Sequence, residues 1–390
     1  MSSISKMPPR RAFGPEELEA VKELFEYYWK KGTDFGYQGD YETLYTDAFV
    51  KFLGVGGYAD AVCTGTAALF VAVAALQLPR GSHVLVSPIT DPGTLNAIIM
   101  NGLVPYVVDA EPDSFNMGVK EFEERLTNQV KAVMVVHASG NAAPIDEIAK
   151  IAKNHGIYVI EDCSQAHSAK CNGQNVGTFG AISAFSTMFG KNHSTGGCGG
   201  VIFTRDFERY KLIRSHADRG KPFFSDNFDE KDFGANLFPA LNFNIDEISC
   251  AIGLKSLAKL NDVTQRRLKF LYTLKEALEK HSKVCRMLSV SENDSPFYKP
   301  IKVDTTRIKC SKVEFAMALG NEGITINPHY KNVVCQWPWV KPYLGDDFST
   351  QNAINIRDNS FNLLFNENFG SKELEIIMEA IRKTEQKFLR

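Results

Sequence analysis

Apolar residues in the first part of the chain change their period more than once. Over 14–31 the residues Leu18, Val21, Leu24, Phe25, Tyr28 and Trp29 recur at three- and four-residue intervals, and Pro15 stands where a first helical turn has no N–H to lose. This predicts an amphipathic helix. A Gly- and Tyr-rich stretch over 35–45 interrupts the pattern. Short apolar runs at 61–63, 83–86, 104–108, 132–136 and 158–160 then alternate with helical patterns at 66–78, 92–100 and 144–154. Strands separated by helices of that length predict a mostly parallel sheet with helices on both faces, because parallel neighbours need a crossover connection.

Runs at 182–186 and 201–203 extend the sheet on either side of a Gly-rich turn, and 206–215 reads as a helix. Residues 218–233 are polar and aromatic without periodicity, which predicts a long loop near a site. Helical spacing from 245 to about 280 leads into short strands at 301–303 and 324–326 and helices at 312–319 and 372–388. The pattern predicts an α/β chain. A large, mostly parallel-sheet domain occupies 1–250, connecting helices and a smaller C-terminal α+β domain occupy 251–390, and the boundary falls between 240 and 260.

Composition narrows the chemistry. A hydrophobic share of 44% with 23% charged residues is that of a globular chain and excludes a disordered one. The net charge of -2 gives no global pull toward nucleic acid or an anionic membrane, so neither is expected as a partner. The eight cysteines form no CxxC pair, which argues against a zinc ribbon or a disulfide scaffold and predicts free thiols and no metal site. The N-terminal residues carry positive charge with no apolar stretch behind them, and no later run approaches the ~20 apolar residues of a membrane span. A soluble, cytoplasmic protein is expected.

Three segments carry the chemistry. Thr64-Gly65-Thr66-Ala67-Ala68-Leu69 joins a strand to a helix; its backbone N–H groups and the positive end of the helix dipole suit a phosphate, although such a turn serves packing about as often. Ile160-Glu161-Asp162-Cys163-Ser164-Gln165-Ala166-His167 places Asp162 past the carboxyl end of an apolar strand, where open α/β sheets bind ligands. A carboxylate there either keeps a pyridine nitrogen protonated or caps a helix, and His167 reads as a structural histidine. In Phe185-Ser186-Thr187-Met188-Phe189-Gly190-Lys191 a lysine lies in an apolar, glycine-bounded segment, where desolvation lowers its pKa and favours an imine with an aldehyde. The order of phosphate turn, strand-end acid, then hydroxyl and lysine five residues apart is what lifts Lys191 above a surface lysine.

With these segments, and with Phe243-Asn244-Ile245-Asp246-Glu247-Ile248, the chain resembles the DegT/DnrJ/EryC1/StrS sugar aminotransferases over nearly its whole length. The resemblance implies an aspartate-aminotransferase-like fold (fold type I) and the cofactor pyridoxal 5'-phosphate (PLP). It implies that Lys191 carries the cofactor as an imine and shuttles the proton, that Asp162 pairs with the pyridinium nitrogen, and that Gln165 contacts the phenolic-oxygen side. Ser186 and the amides of Thr66 and Ala67 would hold the phosphate. Asn242 would reach the partner subunit's phosphate, making a homodimer obligatory, and His329 would lie near the substrate mouth. Glutamate is the implied amino donor, and a keto or aldehyde sugar the acceptor.

The sequence departs from the family pattern at three points. Asp91 occupies the place of the ring-stacking aromatic residue, Asn244 that of an arginine, and Cys198 that of a glutamate, which implies a divergent substrate pocket. Within the family the chain most resembles transaminases that form 8-amino-3,8-dideoxy-manno-octulosonate from the 8-oxo sugar acid for lipopolysaccharide. Such an acceptor needs a cation for its carboxylate: Arg219 and His216, with Arg214, Lys221, Arg10 and Arg11, are the candidates. Alternatives are a nucleotide-linked 4-keto-sugar aminotransferase, a PLP-dependent sugar dehydratase, against which Lys191 argues because that variant carries histidine there, and a non-catalytic PLP-binding sensor.

Overall fold

A computed structural model describes residues 6–390. Its central layer is a seven-stranded sheet formed by β1 (Tyr58–Val62), β2 (His83–Val86), β3 (Val104–Val107), β4 (Val130–Val136), β5 (Tyr158–Asp162), β8 (Ile182–Ser186) and β9 (Gly200–Thr204). A two-stranded hairpin, β6 (Lys170–Cys171) and β7 (Gln174–Asn175), lies between β5 and β8 in sequence. The spatial order is β1-β9-β8-β5-β4-β2-β3. The five strands from β8 to β3 are parallel, and β4, with six of its seven residues buried, shows the run of apolar positions that burial on both faces requires. Only β9 runs against its neighbours, because β8 connects to it through a loop with no crossover helix. That loop carries Lys191.

Around the sheet pack α1 (Pro15–Lys31), α2 (Asp40–Leu53), α3 (Gly65–Ala74), α4 (Pro92–Met100), α5 (Val119–Glu124), α6 (Ile145–Asn154) and α7 (Phe207–Ala217). Helix α3 is apolar nearly all round and is buried against the sheet, α4 and α7. Helix α2 overlaps the stretch read from sequence as an interruption; Gly39 and Gly54 bound it, and Tyr45, Phe49 and Leu53 are its buried stripe.

The long helix α8 (Glu247–His281) packs on α1 and α2 with its first half, while Phe270, Leu271, Leu274 and Leu278 enter a second core. That core covers an antiparallel sheet, order β10-β11-β13-β12, of β10 (Cys285–Met287), β11 (Lys299–Val303), β12 (Ile326–Asn327) and β13 (Ser360–Leu363). Helices α9 (Lys312–Asn321), α10 (Gln351–Asp358) and α11 (Ser371–Phe388) complete this part. Met7 belongs to the same core, and the Lys6 N–H bonds the Gly323 carbonyl at 3.1 Å. The first described residues therefore pack with the C-terminal part, to which the sequence pattern did not assign them. Among the described residues no helix is long and apolar enough to cross a membrane.

Candidate active site

A cavity of about 230 Å³ opens at the carboxyl ends of β4, β5 and β8. Asp162 ends β5 and is 3% exposed. Its Oδ2 accepts from Thr94 Oγ1 at 2.9 Å and its Oδ1 from the Ser164 N–H at 3.1 Å, while Thr90 and Thr94 share a further hydroxyl bond of 2.6 Å. The carboxylate is thus held at both oxygens and remains on the cavity wall. Gln165 lines the same wall. Its Oε1 accepts the Ser139 N–H at 2.8 Å, with Ser139 in the left-handed region at φ 58, so the NH₂ end is the part left to donate. Neither Thr94 nor Ser139 was singled out in the sequence.

The opposite end of the cavity is the N-terminus of α3. Thr64 caps it by accepting the Ala67 N–H at 3.0 Å. A Cβ on Gly65 would lie 2.4 Å from Ser186 Cβ, so glycine is what lets the helix start approach the end of β8. Gly93, in the first turn of α4, lies similarly close to Thr66, with 2.7 Å from its ideal Cβ to Thr66 Oγ1. Thr66 and Ser186 line the cavity. Ala67 differs: its amide is occupied by the Thr64 cap and the residue is off the cavity wall, which leaves the first-turn amides of Gly65 and Thr66 for an anion. Asp91 is the N-cap of α4, accepting from the Gly93 N–H at 2.9 Å, and also lines the cavity.

Lys191 enters from the loop between β8 and β9. Thr187 and Thr195 close that loop, through the Thr195 N–H to Thr187 carbonyl bond and a hydroxyl pair, both 2.7–2.9 Å. The Lys191 ammonium lies 4.6 Å from the Phe297 ring centroid. Burial pushes its pKa down, opposed by the charges of Asp162 and Asp91, the balance that suits an imine-forming amine.

Nearby polar groups are structural. Glu161 accepts three backbone N–H groups, from Gly177, Phe179 and Gly180. His137 takes the Ala143 N–H at Nδ1 and faces Glu161 through Nε2 at 3.2 Å. With Cys163, whose thiol burial pushes well above its ordinary pKa, they form a cluster of ligand-type atoms, yet the donor set is already used within the fold. His167 bonds the Ser186 carbonyl at 2.8 Å, and His193 sits between Tyr45 and Ser256 at 2.6 and 3.1 Å; burial lowers the pKa of both, so they stay neutral.

Other sequence-derived candidates lie outside the cavity of their own chain. Asn242 is exposed and bonds Asn244, which also accepts from Gln38 at 2.8 Å. Arg219 contacts Asp218 at 3.3 Å and Tyr37 at 3.2 Å. His216 stacks on Phe238, 4.2 Å between ring centroids, and burial lowers its pKa to about 4, so it carries no positive charge at neutral pH. His329 pairs with Lys312 at 3.3 Å; burial, then the charge of Lys312, lowers its pKa. Its segment seals the cavity side, because Ile89 bridges Val333 and the Thr90 N–H bonds the Asn332 carbonyl at 3.1 Å. Arg214 is committed to Asp60 and Glu42, Lys221 to Asp218 and Glu230. Cys198 lines the cavity and is exposed.

One amine, an anchored carboxylate and a helix N-terminus on the walls of one cavity fit PLP: its aldehyde, ring nitrogen and phosphate each meet a matching group. The model of the DegT/DnrJ/EryC1/StrS aminotransferase family matches residues 15–382. The chain belongs to this family.

Like other DegT/DnrJ/EryC1/StrS members it is a PLP-dependent sugar aminotransferase, with the fold expected from its sequence. It is 32% identical over 252 residues to GDP-perosamine synthase of Escherichia coli O157:H7, a match spanning 65% of each chain. It is 29% identical over 324 residues to lipopolysaccharide biosynthesis protein RfbH of Salmonella typhimurium, across 76% of this chain and 72% of that one. A solved structure of E. coli GDP-4-keto-6-deoxy-D-mannose-3-dehydratase with bound hydrated PLP superposes with a TM-score of 0.87 at 22% identity, covering 97% of this chain and all of the other. The fold is therefore shared with a dehydratase, and the side chains of the cavity must carry the distinction.

Proposed function

We propose that this DegT/DnrJ/EryC1/StrS aminotransferase moves an amino group from glutamate to the carbonyl of a sugar, with Lys191 as the residue that carries the cofactor and transfers the proton. The observation that supports it is the pairing of Lys191 and Asp162 in one cavity with the start of α3. When bound, PLP supplies the electron sink for breaking and forming bonds at the amine-bearing carbon. Asp162, held by Thr94 and the Ser164 amide, keeps a ring nitrogen protonated. Gly65 and Thr66 amides with Ser186 hold the phosphate, and Gln165 orients the ring oxygen side. With its pKa lowered by burial, the Lys191 amine would be the group that takes the proton from the donor carbon and holds it for return. Lysine at this position supports amino transfer over dehydration. The test is the visible spectrum of the protein with PLP: a band that glutamate bleaches in wild type and that Lys191→Ala never forms supports the reading, and identical spectra for both would overturn it.

For the acceptor we propose the 8-oxo form of 3-deoxy-manno-octulosonate, giving the 8-amino-3,8-dideoxy sugar for lipopolysaccharide. Asp91, Asn244 and Cys198 support a pocket unlike that of the common members. The match to GDP-perosamine synthase favours a second reading, a nucleotide-linked 4-keto sugar. A panel of both acceptor types with glutamate, scored by mass spectrometry, separates them; amination of nucleotide-linked sugars alone rejects the octulosonate.

We also propose a cytoplasmic homodimer in which Asn242, Arg219 and His216 serve the partner's cavity. Leu237, Leu241 and Phe233, 57%, 58% and 70% exposed, surround that region, while Phe189 beside Lys191 is 62% exposed. Mixing inactive Lys191→Ala and Asn242→Ala chains should restore up to about a quarter of the activity if sites are shared, because half of the dimers are mixed and each mixed dimer has one intact site. A monomer in sedimentation would reject the proposal.

A further inference from the structure

Sequence alone offered Arg10 as a contact for a substrate carboxylate, and its surroundings say otherwise. The Arg10 guanidinium donates to the backbone carbonyls of Phe189, Lys191 and Asn192, the last at 2.9 Å, and its Nε bonds Glu367 Oε1 at 3.1 Å. Every one of these acceptors belongs to the protein, so the fork has little capacity left for an incoming anion.

The other oxygen of Glu367 accepts from Arg267 Nε and Nη2 at 3.0 and 2.9 Å. Arg267, 2% exposed on α8, spends its Nη1 on the carbonyls of Pro296 and Phe297 at 3.1 and 3.2 Å. Phe297 is the ring against which the Lys191 ammonium lies. Asn192 adds a direct tie, its Nδ2 reaching the Ser295 and Pro296 carbonyls at 3.3 and 3.1 Å. One carboxylate from the C-terminal part, Glu367, thereby joins two arginines, one holding the backbone that carries Lys191 and the other the backbone that carries its aromatic floor.

We propose that Arg10 is a positioning residue: through Glu367 and Arg267 it locks the Lys191 turn onto the Phe297 segment, fixing where the lysine amine sits and tying it to the C-terminal part of the fold. The inference rests on Lys191 being the imine-forming lysine. Its physical basis is that a loop lysine has four rotatable side-chain bonds, so the position of its amine depends on how firmly the backbone beneath is held. A guanidinium bonded to three carbonyls of one turn, those of Phe189, Lys191 and Asn192, restrains that backbone as an exposed ion pair would not.

The variants are Arg10→Ala and Arg10→Lys, chosen because Arg10 retains 17% side-chain exposure, whereas removing Glu367 would strand buried Arg267. Two readouts are taken: amide hydrogen exchange of residues 189–193 in the cofactor-free chain, and kcat with the KM values of glutamate and of the sugar acceptor for the full amino transfer. Arg10→Ala should speed exchange in that turn about tenfold. It should lower kcat about 10- to 100-fold, the effect of misplacing a reacting group, with KM for glutamate and the sugar within about threefold. Arg10→Lys, still able to donate to carbonyls, should recover part of both. Unchanged exchange and kcat in Arg10→Ala would overturn the proposal, and so would a rise confined to the sugar's KM, which would return Arg10 to substrate binding. If wild type itself forms no band with PLP, the role of Lys191 fails instead, and the exchange result still reports on the tether.

Discussion

Thr94 Oγ1 donates to Asp162 Oδ2 across 2.9 Å, joining the first turn of α4 to the end of β5. The bond holds the carboxylate that we propose pairs with the cofactor ring. Thr94→Val keeps the shape and removes the donor; loss of a bond to a charged group, about 1.5 kcal/mol, should weaken PLP binding roughly tenfold by fluorescence titration. Asp162→Asn keeps shape and loses charge, and should cost turnover about 100-fold or more while PLP still binds.

Gly65 makes a close approach to Ser186 at the α3 end of the cavity. In Gly65→Ala the new methyl would meet Ser186 at 2.4 Å, too near for either atom to stay in place. The expected strain is about 1–3 kcal/mol, seen as a lower melting temperature of the cofactor-free chain. Inorganic phosphate should protect wild type against heat and fail to protect the variant; equal protection of both would place the anion elsewhere.

Glu161 and His137 are spent on the fold. Glu161→Gln leaves the N–H groups of Gly177, Phe179 and Gly180 with a weaker acceptor, and should cost about 2–4 kcal/mol in denaturant unfolding. Dialysis of wild type against a chelator should leave turnover unchanged, since the nitrogens and oxygens of this cluster already have partners. Loss of turnover that zinc restores would show the cluster to be a metal site.

His216 makes stability depend on acid. Burial lowers its pKa to about 4 from an ordinary 6.5, so the neutral ring is what the fold accommodates. The depressed value means its contribution is fully present above pH 6.5 and is lost as pH falls toward 4, by up to about 3 kcal/mol. His216→Phe keeps the stack on Phe238 and should make the acid loss of stability between those pH values shallower by its own share, the buried His167 and His193 supplying the remainder, as measured by urea unfolding. An unchanged acid profile would mean that His216 is not the group responsible.

The order of elements was legible because strands such as His83–Val86 and Ile182–Ser186 announce themselves by local apolar runs between turn residues. Helix α2 was hidden because its start lies in a glycine- and tyrosine-rich stretch whose local signal is that of a loop, and packing of Tyr45, Phe49 and Leu53 overrides it. The antiparallel return of β9 depends on a loop and not on its own residues.

By itself the sequence determined the chemical parts: a lysine in an apolar turn, an acid at a strand end and a small-residue helix start, each set by neighbours within a few positions. Tertiary structure decided what holds those parts in place. Thr94 lies 68 residues from Asp162, and Arg10 lies 357 from Glu367, so no local pattern relates them. Threonines and arginines are common on any surface; only chain packing brings these against a buried carboxylate and the lysine turn, where the exclusion of water gives such hydrogen bonds their directing strength.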